Sequence, residues 1–462
     1  MENIKFYKLL DKTVDKSGVR DASNFPVHNF PYLRANRFLA GFKKKVADEG
    51  RVKLWIELMR QLDLNERKKE IQNLPDKVFR KLCKKVEVNE NREAFFLLLL
   101  SHSEDFIRSD EQKPKFFKRV INAVIDPGVY SLPMRVLGLY PVAYIFAALG
   151  TKSAYNEIKE WFKKPVGELE VKGKVQTFTP AERKEFPYQN IYQIFDPSRR
   201  NALKIPELIH EEIKMLTEGM APTISIDIAD DYDKFGEVKW KDGHVTIDHD
   251  NPTVYDYTSY TFFKGEPVLQ INYVFWYSAR AGSNVSWIKR GSLDGMTVRI
   301  TLDGGGFPVM MDVMNNCGFY FFYVPRKEKI DKIRRRPFSL APLVPAWLSD
   351  SFPHKPLKLR INTGWHRVQH IDTGEAPADA RPYKLVPYET LETLPHPDGH
   401  TESVFNSQGL MKDSKRIEPY IFFSVGIPKV GYMRQRGNHA IKLAGHAHFT
   451  DPNLYERDFV FK

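Results

Sequence analysis

Apolar positions along this chain recur every three to four residues in its first third and every two residues in its second half. Between residues 31 and 125 the longer period dominates and gathers apolar side chains on one helix face. In PYLRANRFLAGFKKKV, Leu33, Phe38, Leu39 and Phe42 follow it with lysines opposite, and VKLWIELMRQLDL repeats the arrangement. Asn73-Leu74-Pro75-Asp76 interrupts the pattern and predicts a new helix with proline near its start, where a missing N–H is tolerated. EAFFLLLLSHSEDF is apolar nearly all round, which predicts a helix buried in a bundle. The uncharged stretch Val136–Thr151 is shorter than the ~20 residues of a spanning helix, and Gly138 and Pro141 interrupt it. It reads as buried core, with a membrane-contact segment as the lesser reading, and no transmembrane segment is expected. TKSAYNEIKEWFKK and PELIHEEIKMLTEGM predict two more helices. Residues 165–200 show no period and read as an irregular connection.

From residue 223 the period is two. TISIDIAD, HVTID, VLQINYVFWYSAR, MTVRITLD and FPVMMDVM alternate as half-buried strands do. Lys241-Asp242-Gly243, Lys264-Gly265-Glu266, Leu293-Asp294-Gly295 and Asp303-Gly304-Gly305-Gly306 read as the turns between them. Residues 326–356 are rich in proline and basic residues and predict a loop, with strands resuming at LKLRIN and YIFFSVGI. The expectation is an α+β protein. A helical region spans 1–150, a helical and irregular connection 151–222, and a mainly antiparallel β domain 223–462, built as a sandwich or open barrel with a Pro/Arg-rich insertion near 326–356.

Composition narrows the function classes. Cys83 and Cys317 are the only cysteines, too few for a disulfide framework, and MENIKFYKLLDKTVDK lacks the apolar run of a secretory signal. A cytoplasmic protein is expected. The net charge of +12 favours an acidic or polyanionic partner, with basic residues densest at Lys43–Lys45, at Arg80-Lys81 with Lys84-Lys85, and at Arg334–Arg336. No GxxxxGK[ST], GxGxxG after a strand, HExxH, CxxC, GxSxG or kinase signature is present, which argues against nucleotide hydrolysis, dinucleotide binding and zincin proteolysis.

Three groups of residues carry candidate chemistry. Of 13 histidines, His354, His366, His370, His396, His400, His439, His446 and His448 follow residue 350. His446 and His448 share a face if they lie on a strand, and His366 and His370 share one on a helix or strand, so these four are candidate ligands for a transition metal. A cupin arrangement fails, because Glu456 follows too late. A calcium loop at Asp231-Tyr-Asp233 fails as well, because Phe235 occupies a ligand position. Cys317 follows a segment that places Arg299 and Asp312 on neighbouring strands, and it reads as inert core more readily than as a nucleophile. In MRQRGNHAIKLAGHAHFTDP, Arg434, Arg436, His439 and Lys442 alternate with small residues that let an anion approach the backbone.

FPYLRANRFL, SLDGMTVRITLDGGGFP, NNCGFYFFYVPR and MRQRGNHAIKLAGHAHFTDP together resemble a family of bacterial conserved proteins of unknown function, over most of the chain and in the same order. The resemblance implies a bacterial, intracellular origin and brings no activity or cofactor. In that family the cysteine segment is richer in histidine and cysteine; here Met314, Phe319 and Phe321 stand in those places, which argues against a metal site centred on Cys317. Two functions remain. One is an enzyme with a pocket in the β domain lined by His366, His370, His439, His446 or His448 with Arg299 and Asp312, acting through a metal or by general acid–base chemistry with Arg299, Asp312 and His439 as catalytic residues. The other is a binding or scaffold protein that offers a basic surface to nucleic acid, anionic lipid or an acidic protein.

Overall fold

The alternating runs of the second half join into one sheet. In the computed structural model, which describes residues 2–336 and 339–462, ten strands form a single curled half-barrel. These strands are β1 (Lys174–Pro180), β2 (Thr223–Ile228), β3 (Thr253–Phe263), β4 (Glu266–Arg280), β5 (Gly291–Leu302), β6 (Pro308–Asn315), β7 (Phe322–Pro325), β8 (Leu357–Ile361), β9 (Val368–Thr373) and β10 (Arg381–Pro387). Their spatial order is β7-β6-β5-β4-β3-β10-β1-β2-β8-β9. Neighbours run antiparallel except at β3–β10, β10–β1 and β2–β8. The protein is therefore α+β with a mostly antiparallel sheet. Strand β1 lies in the stretch that shows no period, and it enters the middle of the sheet. It is bordered by β2 and β10, so its place depends on long-range pairing that local pattern does not record.

Two hairpin tips behave as their sequences predict. Asp242-Gly243 (φ 52° and 75°) joins the paired segments Glu237–Lys241 and His244–Asp248, and Lys264-Gly265 (φ 51° and 80°) joins β3 to β4. Both loops need positive φ at each central residue to match the strand twist. Leu293-Asp294-Gly295 is different: it lies inside β5. Gly295 is opposite Trp276, and a Cβ there would stand 2.8 Å from the indole, so glycine serves close approach rather than a turn.

The inner face of the sheet, with Leu269, Ile271, Tyr273, Phe275 and Tyr277 of β4 and Val298 and Ile300 of β5, forms the main core. It is filled by helices introduced below. On the outer face Asp312 of β6 stands directly opposite Arg299 of β5. Arg299 Nη2 donates to Asp312 Oδ2 at 2.9 Å, Tyr455 Oη donates to the same oxygen at 2.7 Å, and Arg299 Nη1 donates to Phe449 O at 2.7 Å. The C-terminal segment seals this pair from water.

The helices are α1 (Glu2–Ser17), α2 (Glu49–Gln72), α3 (Asp76–Lys85), α4 (Arg92–Glu111), α5 (Phe116–Ala123), α6 (Leu132–Leu137), α7 (Tyr140–Lys163) and α8 (His210–Met220). Ile158 of α7 and Leu216 and Met220 of α8 fill the inner face, while α1 to α5 build a second core around Trp55, Met59 and Phe95 that reaches Phe262 at the tip of β3. Residues 30–35 form a strand, Phe30–Ala35, rather than the start of a helix. The reason is tertiary: Arg34 must extend into α2, and Asn36 then caps the short helix Arg37–Gly41 by accepting from Leu39 N. YIFFSVGI is likewise not a strand but two helical turns, Glu418–Ile421 and Phe423–Val425, begun by Pro419 and stopped by Gly426. In the 326–356 insertion a short strand, Ile330–Ile333, pairs with Phe459–Phe461; Pro337 and Phe338 lie outside the described residues.

The stretch Val136–Thr151 departs furthest from expectation. It is not core: Leu137 is 80% and Phe146 70% exposed, with Val136, Leu139, Val142, Ile145 and Leu149 also open. No helix among the described residues is long and apolar enough to cross a membrane.

The Arg299–Asp312 pair gives a stability test. Asp312→Ala leaves a buried guanidinium unpaired and should cost ~3–5 kcal/mol in denaturant unfolding, whereas Arg299→Met with Asp312→Leu should recover most of that loss. Equal destabilisation by both variants would contradict the assignment of this pair as a structural one.

Candidate active site

Where the helical unit meets the outer face of the sheet, the chain leaves a cleft of about 730 Å³. One wall is α2, with Leu62, Glu66, Lys68 and Lys69. The opposite wall is Tyr257–Tyr260 of β3 together with Arg436–Asn438, and Arg37 and Phe38 close one end. The wall at 436–438 depends on Gly437 (φ 82°), since a Cβ there would stand 2.4 Å from Ser23 O.

Beneath this surface three carboxylates from distant segments surround one ammonium. Lys69 Nζ lies 2.6 Å from Glu392 Oε2 and 3.6 Å from Asp21 Oδ2, and it contacts Glu66 Oε2. One oxygen of each carboxylate falls within 4.8 Å of the others, a spacing that would also suit a cation; the lysine ammonium fills that role. Gln435 Nε2 donates to Asp21 Oδ2 at 2.8 Å and to Glu392 Oε1 at 3.0 Å. Arg436 donates to both oxygens of Glu392, at 3.0 and 2.8 Å, and to Glu389 at 2.7 Å. Behind them Arg34 makes two 2.8 Å bonds to Glu70, and Arg67 pairs with Asp63.

Asp21, Glu66, Glu392 and Glu389 outnumber the two cations they share, Lys69 and Arg436, so the group carries excess negative charge that a proton relieves. Donors decide which group takes it. Asp21 accepts from Ser23 and Gln435 with the Lys69 ammonium 3.6 Å away, and Glu392 accepts from Lys69, Gln435 and Arg436. Among the described residues Glu66 has only the Lys69 contact, without a well-formed hydrogen bond. Burial, then the nearby Asp21 charge, therefore pushes the Glu66 carboxyl up to about 8. Burial acts the same way on Asp21, but Lys69 and Ser23 outweigh it and hold Asp21 well below the usual carboxylate range. The cleft wall thus pairs a carboxyl that carries its proton near neutrality with an ammonium kept charged by the surrounding acids.

No family model, curated protein or solved structure matches this chain.

The residues singled out in the sequence lie elsewhere. Arg299, Asp312, His439, His366, His370, His446 and His448 do not line this cleft. His366 is enclosed between Asp294 (2.8 Å from Nδ1) and Asp233 (3.2 Å from Nε2) and stacked on Tyr277; burial opposes its charge, but the two aspartates raise its pKa. His370 is on β9, against Phe162, so the i,i+4 pair does not converge. His446 and His448 are in a loop rather than a strand, the first exposed on Tyr130 and the second buried, where Nδ1 accepts from Thr450 N at 3.1 Å. Burial lowers His439 to about 3 and takes His448 well below the imidazole range, and neighbouring arginines add to both effects. Cys317 is buried and free. Of Arg434, Arg436, His439 and Lys442, singled out together in the C-terminal segment, Arg436 alone lines the cleft. Glu66 and Lys69 stand in NERKKE, where an i,i+3 charge pair looks like any solvated helix face.

The raised Glu66 predicts how stability follows pH. The folded state holds a proton that the unfolded chain releases near pH 4, so this contribution is present below pH 4 and is lost as pH rises towards about 8. Asp256, pushed up to about 7 by burial and by Glu389 and Glu218, acts in the same direction. Urea unfolding of wild type and Glu66→Gln at pH 5.5 and 8.5 separates the two. The variant should lose less stability over that interval, and an identical loss would count against a raised Glu66.

Proposed function

We propose that the protein is an enzyme whose active site is the cleft between α2 and the sheet, with Glu66 as general acid–base and Lys69 beside it. One observation carries this reading: a buried carboxyl in contact with the Lys69 ammonium in the wall of the cleft, where burial and the Asp21 charge push it up to about 8. Such a carboxyl is poised to donate and recover a proton near neutrality. Arg37, Lys68, Lys69 and Arg436 outnumber Glu66 and Glu389 along the cleft, and Phe25, Phe38, Leu62 and Tyr260 add apolar lining. The substrate class is a small molecule that joins a carboxylate or phosphate to an apolar body. The two free, buried cysteines support a reducing compartment such as the cytoplasm.

Thermal shift at pH 7 with carboxylic acids and phosphate monoesters, followed by NMR of each stabilising compound for turnover, tests this. At least one compound should stabilise the wild type, Lys68→Ala should weaken its binding, and Glu66→Gln should bind it but turn it over ~10²–10⁴-fold more slowly. Unchanged turnover in Glu66→Gln, or no stabilising compound at millimolar concentration, would overturn the proposal.

The exposed apolar face of α6 and α7 favours a second reading, attachment to an anionic lipid surface. Between Asp126 and Glu157 the chain carries no acidic residue, and Lys152 is exposed at the end of the apolar run. Tyr420 and Phe423 extend the open apolar surface beside it. An apolar face with flanking cations suits the lipid interface. The protein should cosediment with vesicles containing phosphatidylserine more strongly than with pure phosphatidylcholine, and Leu137→Glu with Phe146→Glu should abolish this. Absence of binding to either vesicle would remove the reading.

A further inference from the structure

A second concentration of chemistry stands on the hairpin after Glu392, and it is independent of the cleft. Leu394–Pro395 pairs antiparallel with Thr401–Glu402, and His396-Pro397-Asp398-Gly399-His400 connects them. His396 N donates to His400 O at 2.8 Å and Gly399 N to His396 O at 3.0 Å, which closes the turn. Thr401 Oγ1 donates to Gln72 O at 3.0 Å and ties the hairpin to the end of α2. Four polar side chains at a spacing of two, His396, Asp398, His400 and Glu402, gather at this tip.

Their donor atoms converge. One ligand atom from each of His396, Asp398 and His400 lies within 4.8 Å of the other two. Glu402 Oε2 lies 3.0 Å from His396 Nε2 and 3.8 Å from His400 Nε2, and His400 Nδ1 contacts Asp398. Separations of this order suit atoms that share an ion at bonds of ~2.0–2.2 Å. His396 is held in place from both sides, by Trp240 at 4.4 Å and His400 at 4.1 Å, both stacked. Its Nε2 is shielded from solvent and lies 3.0 Å from Glu402 Oε2. That nitrogen already faces a carboxylate oxygen, the kind of donor pair between which a cation is held.

We propose that His396, Asp398 and His400, with Glu402 beside them as a fourth donor, form a binding site for a borderline divalent transition metal, zinc foremost. Two imidazoles with two carboxylates match that class, whereas calcium and magnesium require shells made mainly of oxygen. Asp398 and His400 are exposed, which gives the ion a direct path in. Lys412 is the built-in competitor: its ammonium pairs with Glu402 and lies 5.3 Å from the Trp240 ring, and it must yield when the metal enters.

The test is titration of the tag-free, full-length protein with Co(II), followed by its visible d–d absorption, and then displacement by Zn(II). One equivalent should bind and be displaced. His396→Ala with His400→Ala should weaken binding by at least ~100-fold, since loss of a mere supporting partner already costs ~10–100-fold. Lys412→Met, which keeps every ligand, should tighten binding several-fold and so gives a reading that does not depend on the double variant folding. No cobalt or zinc uptake by the wild type, uptake unchanged in the double variant, or no tightening in Lys412→Met would overturn the proposal.

Discussion

The enclosure of the Lys69 ammonium by Asp21, Glu66 and Glu392 is the constraint on which the rest of the molecule depends. Those groups come from the segment after α1, from α2 and from the turn after β10, and Gln435 and Arg436 add the C-terminal segment. Removing so many charges from water is unfavourable unless each finds its partner, so the four segments are fixed together. The same enclosure creates the chemistry. It holds more negative than positive charge, and its surplus falls on the carboxylate with fewest donors, the one at the cleft. Structural cohesion and the raised carboxyl thus arise from one enclosure, through burial first and the Asp21 charge second.

Histidine shows how far environment overrides residue type. His366, between two aspartates, has its charge favoured, whereas His439 and His448, buried near arginines, are held neutral. His396 and His400 lie near the surface beside carboxylates. The sequence shows thirteen imidazoles of one kind, and only folding divides them among these roles.

The fold was legible where local rules decide it. The alternating runs became β2 and β4 to β6, the positive-φ tips at Asp242-Gly243 and Lys264-Gly265 turned as their residues require, and Pro75 opened α3. It was illegible where distant partners decide. Arg34 pulls Phe30–Ala35 into a strand, Trp276 makes Gly295 a point of close approach, and β1 depends on β2 and β10 for its pairing. The site follows the same division. Arg299 and Asp312 were recognisable as neighbours because the strand period places them so, but Glu66 differs from other helix glutamates only through Asp21, Glu392 and Arg436, hundreds of residues away in part. The apolar run at Val136–Thr151 was misread because pattern gives hydrophobicity, not whether anything in the chain covers it.

The central claim is that Glu66 keeps its proton near neutral pH, and carboxyl NMR of protein labelled with ¹³C at the glutamate side chain measures this directly. The account predicts one glutamate resonance, absent in Glu66→Gln, that titrates with a midpoint near pH 8. A Glu66 resonance that titrates near pH 4, as exposed glutamates do, would contradict it.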